Sequence, residues 1–178
     1  MATDHLAELR KWVSDLSRRD NDGEAIQLNR PVELISRAFG VTAHEVAILG
    51  FTKDGRSLRF LAPDTLRVVG QIPLSSGSSL AVRTVREMRP EIVNHFYAVP
   101  HASVFEGVPV SETERGEPIQ KIMSSPIMLA SRSIGVLQVS RKGKTTSDAG
   151  PDFTPLQLQT LKTISDTLAP CLLLCAKE

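Results

Sequence analysis

The chain of 178 residues is close to the size of one compact domain, and its ordinary shares of hydrophobic (41%) and charged (23%) residues exclude a disordered or low-complexity segment. Twenty-one basic against 20 acidic side chains leave a net charge of +1, so bulk electrostatics give no reason to expect nucleic acid or an anionic membrane as partner. No apolar run approaches the roughly 20 residues that cross a bilayer, and the opening MATDHLAELRKW lacks the apolar stretch of a secretory leader, so a cytoplasmic protein is expected.

Leu6, Leu9, Val13 and Leu16 fall at steps of three and four, the seam of a helix that packs on another helix, ending near Asp20 to Gly23. A second helix is predicted from Pro31, suited to a first helical position, to Gly40 as its stop. The period then changes. Glu45–Thr52 is apolar and partly β-branched, and Ser57–Ala62 alternates Leu58, Phe60 and Ala62 with polar neighbours. The Asp54-Gly55 pair between them marks a hairpin, because its turn needs positive φ. A third strand is read over Leu66–Leu74. Serines before Leu80 cap a helix carrying Ala81, Val82, Val85 and Met88, which Pro90 ends. Another strand, Glu91–Phe96, leads into an aperiodic stretch from Tyr97 to Pro118, a length that in compact domains is usually functional or mobile.

Two strands follow, Ile119–Leu129 and Ile134–Arg141, and then the best-specified local feature of the chain. In FTPLQL, Thr154 caps a helix with Pro155 first, Gln157 completes a capping box, and Phe153 and Leu158 form a hydrophobic staple. This helix runs to about Cys175 with Leu161, Ile164, Leu168, Leu172 and Cys175 on one stripe, and Pro170 should kink it. Such an order is α+β: about six strands in one mainly antiparallel sheet, with the N- and C-terminal helices against one face.

With that order in view, the segments VGQIPL and the serines after it, RPEIVN over residues 89–94, SSPIMLASRSIGVLQVSRKG, and FTPLQLQTLKTISDTLAPCL resemble the GAF domain over about Pro31 to Leu174. The resemblance implies a central antiparallel sheet with helices on one face, a loop-covered ligand pocket on the other, and dimers built from the first and last helices. It divides the chain into an N-terminal helix and linker, residues 1–30, for packing or dimerisation, and a ligand-sensing domain, residues 31–178. The stripes of both terminal helices have two readings: they pack on their own sheet, or they pair with a second copy.

The signature of cyclic-nucleotide-binding GAF domains is reduced here to Lys142 and Phe153, with Arg141, Gln157 and Leu158 at its other positions. GAF-type free methionine sulfoxide reductases use cysteines in loops around the cavity, and bilin attachment also needs a pocket cysteine. Cys171 and Cys175 instead sit four apart on the last helix, where free thiols commonly pack as small hydrophobes.

Other motifs have plainer readings. Gly143-Lys144-Thr145 imitates the end of a phosphate loop but lacks its first glycine and a helix directly after it. Leu34–Val46 imitates a helix-turn-helix but runs into a hairpin where a recognition helix belongs. Glu106, Glu112, Glu114 and Glu117 read as a solvated lid. No nucleophile elbow, metalloprotease motif or cysteine metal cluster is present.

The candidate ligand-contacting residues are Asn94, whose amide at the mouth of the long loop both donates and accepts, His95 and His101 beside it, Phe60, and Ser125. No metal site and no particular cofactor follow from the sequence. The expected function is non-enzymatic sensing of a small molecule, relayed through the terminal helices of a homodimer to a separate signalling protein. The rival is a ligand-free scaffold whose cavity is filled by its own Phe51, Phe60, Phe96 and Met128.

Overall fold

A computed structural model describes residues 2–18, 26–68, 70–98 and 117–175. Helices α1 (Ala2–Arg18) and α2 (Asn29–Phe39) come first, and Gly40 closes α2 in the left-handed conformation at φ 63°. Strands β1 (Val46–Phe51) and β2 (Ser57–Ala62) form the expected hairpin, with Gly55 at φ 67° in its turn. After them come the short helix α3 (Asp64–Arg67), β3 (Gln71–Pro73), α4 (Leu80–Glu87) and β4 (Glu91–Val93). The long strands β5 (Ile119–Leu129) and β6 (Arg132–Lys142) and the helix α5 (Pro155–Cys175) complete the chain. All neighbouring strands run antiparallel, in the order β3-β2-β1-β6-β5-β4. The α+β architecture expected from the sequence is therefore the one present.

Alternation along the strands sorts the core into two faces. Val46 and Ile48 of β1, Met123 and Ile127 of β5, and Leu137 and Val139 of β6 point toward α2 and α5. Ala47, Leu49, Leu58, Phe60 and Val136 point the other way, onto Ala81, Val82 and Val85 of α4. The sheet thus has helices on both faces, α4 lying opposite the terminal ones. The C-terminal helix lies over β5 and β6. The N-terminal helix packs chiefly on α2 and α5 as an outer layer, burying Leu9 and Val13 and half-burying Leu6, Trp12 and Leu16. The α1 stripe is thus covered within one chain.

Two strand expectations are corrected. Only Gln71–Pro73 of the segment Leu66–Leu74 pairs with β2. Pro63 before Asp64 begins one helical turn instead, with the Asp64 carboxylate at its positive end and Leu66 turned into the α4-side core. The strand predicted over Glu91–Phe96 stops at Val93, because the chain turns there and Phe96–Ala98 form a 3-10 turn.

Both ends of α5's leader are fixed as its sequence requires. Thr154 N–H donates to Gln157 Oε1 at 3.0 Å and Gln157 N–H to Thr154 Oγ1 at 3.2 Å, the reciprocal capping box, while Phe153 is buried and Leu158 packs beside the same core.

Candidate functional site

The α4 face is the side of the sheet opposite the terminal helices, where the resemblance implies a ligand pocket. At its centre Thr84 Oγ1 on α4 shares a 2.7 Å hydrogen bond with Ser124 Oγ on β5, and Gln138 Nε2 on β6 donates to the same Ser124 oxygen at 3.1 Å. Ser124 and Gln138 are cross-strand partners, so register places them side by side beneath the helix. All three side chains are buried, and in so apolar a setting their mutual bonds offset the cost of losing water. Toward β4, Phe96 joins Leu80, Val93, Ile119 and Ile122 in a separate small core.

The candidate residues distribute unevenly over this frame. Phe60 is buried on the α4 face and packs within its core. His95 is exposed beside Asn94. Asn94 spends both ends of its amide on one partner: Nδ2 donates to the Phe153 carbonyl at 3.1 Å, and Oδ1 accepts from Phe153 N–H at 2.9 Å. It thereby fastens the end of β4 to the leader of α5 across 59 residues of sequence. Ser125 lies on the opposite face from Phe60, flanked by Met123 and Ile127 under α5 and paired across the sheet with Leu137. No single hollow therefore gathers Ser125 with Phe60. His101 lies outside the described residues.

Of the remaining motifs, Gly143-Lys144-Thr145 enters a tight turn rather than a phosphate loop. Thr145 N–H and Oγ1 donate to Asp148 Oδ2, and Asp148 N–H donates to Thr145 Oγ1. Helix α2 leads through a 3-10 turn, Ala43–Glu45, directly into β1, which rules out a recognition helix there. Cys171 and Cys175 are both buried in the core beneath α5; burial, and then the neighbouring Cys175, push the Cys171 thiol up to about 12. Among the described residues, no group of histidines, cysteines and carboxylates could hold a metal ion.

Sequence reading missed two arrangements. The first is a pair of cations, Lys121 and Arg141, opposite each other on β5 and β6. Lys121 Nζ donates to the Gly150 carbonyl at 2.6 Å and pairs with Asp152 at 2.7 Å, while Arg141 donates to the Pro151 carbonyl at 2.9 Å and stacks 4.6 Å over the Phe153 ring. Burial lowers the Arg141 pKa, with Glu45 and Asp152 opposing it. Glu45 itself accepts from Lys142 N–H at 2.7 Å, docking the start of β1 on the end of β6. The signal was parity, since both cations stand at inward positions of their strands.

The second is a cleft of about 340 Å³ at the opposite end of the terminal-helix face. Its floor is Gly50, Leu61, Ile134 and Leu172. Gly50 and Gly135 are direct partners across β1 and β6, so two side chains are missing from that patch of sheet, and Leu61 and Leu172 lie against it. Lys53, Arg59 and Arg132 stand around this floor, with no carboxylate among the lining residues. The size falls within the usual range for small-molecule sites.

Residues 26–172 match the GAF domain family. The chain belongs to that family. GAF domains are known for sensing and regulation, and are generally regulatory rather than catalytic. The chain is similar in fold to the GAF domain of an Acinetobacter phosphoenolpyruvate-protein phosphotransferase, at 17% identity and a TM-score of 0.65, covering 98% of this chain and 94% of that one. It is similar also to free methionine-R-sulfoxide reductase from Neisseria meningitidis, at 15% identity and 0.64, covering 99% and 90%. Residues 122 to 287 of a methyl-accepting chemotaxis protein give 15% and 0.60, covering 95% and 96%. No curated protein matches the chain. Among the described residues of this GAF domain, no helix is long and apolar enough to cross a membrane.

Proposed function

We propose that this GAF domain is a non-enzymatic regulatory module that binds a small molecule on the α4 side of its sheet and relays occupancy through α5 and α1 to a separate signalling protein. The observation that carries the reading is the Asn94–Phe153 clasp. It ties the point where the chain leaves β4 to the leader of α5, so a ligand that favours one placement of that joint biases the helix. The buried thiols support the non-enzymatic part: with Cys171 held near 12, little thiolate forms at neutral pH, unlike the reactive thiols of redox enzymes.

Native mass spectrometry of freshly purified protein tests this, by reporting a retained small molecule and the stoichiometry together. A mass above that of the chain, lost on denaturation, is the expected result. Because the inward stripe of α1 is spent on α2 and α5, a homodimer formed by the terminal helices has to use their outer positions; sedimentation at micromolar concentration reports whether it forms.

The second reading, a ligand-free scaffold, is favoured by the packing of Phe60 and Phe96, both buried in the α4-side cores. It predicts a bare chain mass and no thermal shift across a panel of nucleotides, amino acids and organic acids.

A further inference from the structure

We propose that the cleft bounded by the β1–β2 hairpin, the start of β6 and the last turn of α5 binds a small amphipathic anion, a ligand with an apolar body and one carboxylate, sulfonate or phosphate group. This site lies on the terminal-helix face, away from the pocket proposed above, and does not depend on it.

Three features of the cleft select that chemistry. Its floor is apolar, made by Ile134 with Leu61 and Leu172, which settle into the space left by the side-chain-free pair Gly50 and Gly135 and so offer a low surface to an apolar body. Among the described residues that line it, the charge has one sign. Arg59 and Arg132 have no side-chain partner among the described residues, and the nearby Asp54 is engaged within its own turn by Thr52 Oγ1 at 2.6 Å and Arg56 N–H at 3.1 Å. Arg59 is moreover half-buried and shares the face of Leu61, so its stem lies along apolar surface, and no carboxylate pairs with it among the described residues. A ligand anion supplies that partner. Arginine suits the task because its planar fork can hold a carboxylate or phosphate by two hydrogen bonds. Strand β1 alone separates β2 from β6, so the two arginines project from strands about 10 Å apart and flank the floor.

The position also gives such a ligand leverage. Leu173 and Cys175 of α5 stand beside the Leu172 of the floor, so occupancy braces the end of α5 against the β1–β2 hairpin.

The test is fluorescence titration of the full chain with 8-anilinonaphthalene-1-sulfonate, an aromatic body carrying a sulfonate, beside the uncharged N-phenyl-1-naphthylamine. Saturable binding of the anionic dye at one site per chain is expected. The Arg59→Gln/Arg132→Gln double variant should weaken it at least tenfold while changing the affinity of the neutral dye less than twofold. The single variant Arg132→Gln alters only an exposed side chain and should still weaken the anionic dye about threefold. Non-saturable binding, or anionic-dye affinity unchanged in both variants, overturns the proposal.

Discussion

Replacing Asn94 by alanine removes both hydrogen bonds of the clasp while leaving the backbone of β4 and α5 as it is. Each such bond contributes about 1 kcal/mol net. The substitution also leaves the Phe153 N–H and carbonyl short of partners in a partly buried setting, where water makes good only some of the loss. The sum is about 2 to 3 kcal/mol. With a urea dependence of about 2 kcal/mol per molar, the unfolding midpoint should fall by about 1 M at unchanged slope. His95→Ala is the control, since that side chain is exposed next door, and should move the midpoint by less than about 0.3 M. A midpoint for Asn94→Ala as close to the native one as that control would refute the clasp. If stability held while a bound small molecule was lost, Asn94 would be a ligand contact instead, the role its sequence position first suggested.

Three further outcomes follow from the packing. A Cβ added by Gly135→Ala would overlap both the Leu49 carbonyl oxygen and Leu172 Cδ2; the first belongs to the sheet ladder, so the variant should lose about 3 kcal/mol in the same urea assay. Thr84→Val keeps the shape of α4 but takes away the hydroxyl shared with Ser124, and should cost about 1 kcal/mol, read as a lower midpoint. The two thiols should resist a disulfide-exchange reagent in the native chain at pH 8 and both react in urea. For Cys171, whose folded pKa is raised to about 12 above an ordinary 9.0, the associated stability is complete below about pH 9 and is lost as pH climbs toward 12. Alkaline melts of Cys171→Ala should therefore fall less steeply than those of the unaltered chain.

Elements whose period and punctuation agree were legible from the residues alone. The Asp54-Gly55 hairpin, the Ser79 cap, where Val82 N–H donates to Oγ at 3.3 Å, and the capping box of α5 are each local devices that fix their own geometry. Helix α2 ends at Gly40 for the same reason. What could not be read locally was which partner a side chain would meet. Asn94 looked like a ligand group because its amide is versatile, yet its bonds go to a backbone 59 residues away. Ser125 was grouped with pocket residues, but a single step of strand parity sets it beneath α5, whereas its neighbour Ser124 faces α4. The α1 stripe was equally compatible with self-packing and with pairing, and only the placement of α2 and α5 shows that it is covered in cis. The paired glycines at 50 and 135 lie 85 positions apart in the sequence, a juxtaposition that register alone creates.

The connection between β6 and α5 has an unusual standing for a surface segment. Successive carbonyls of Gly150 and Pro151, together with Asp152, serve as the counterweight for Lys121 and Arg141, and at Gly143 even a methyl group would come within 2.6 Å of the Ala149 nitrogen. Shortening it, or grafting a tag or reporter into it, would strand two positive charges inside the protein. The tip of the first hairpin, whose residues face solvent, is the safer place to attach foreign sequence, and natural insertions should obey the same preference.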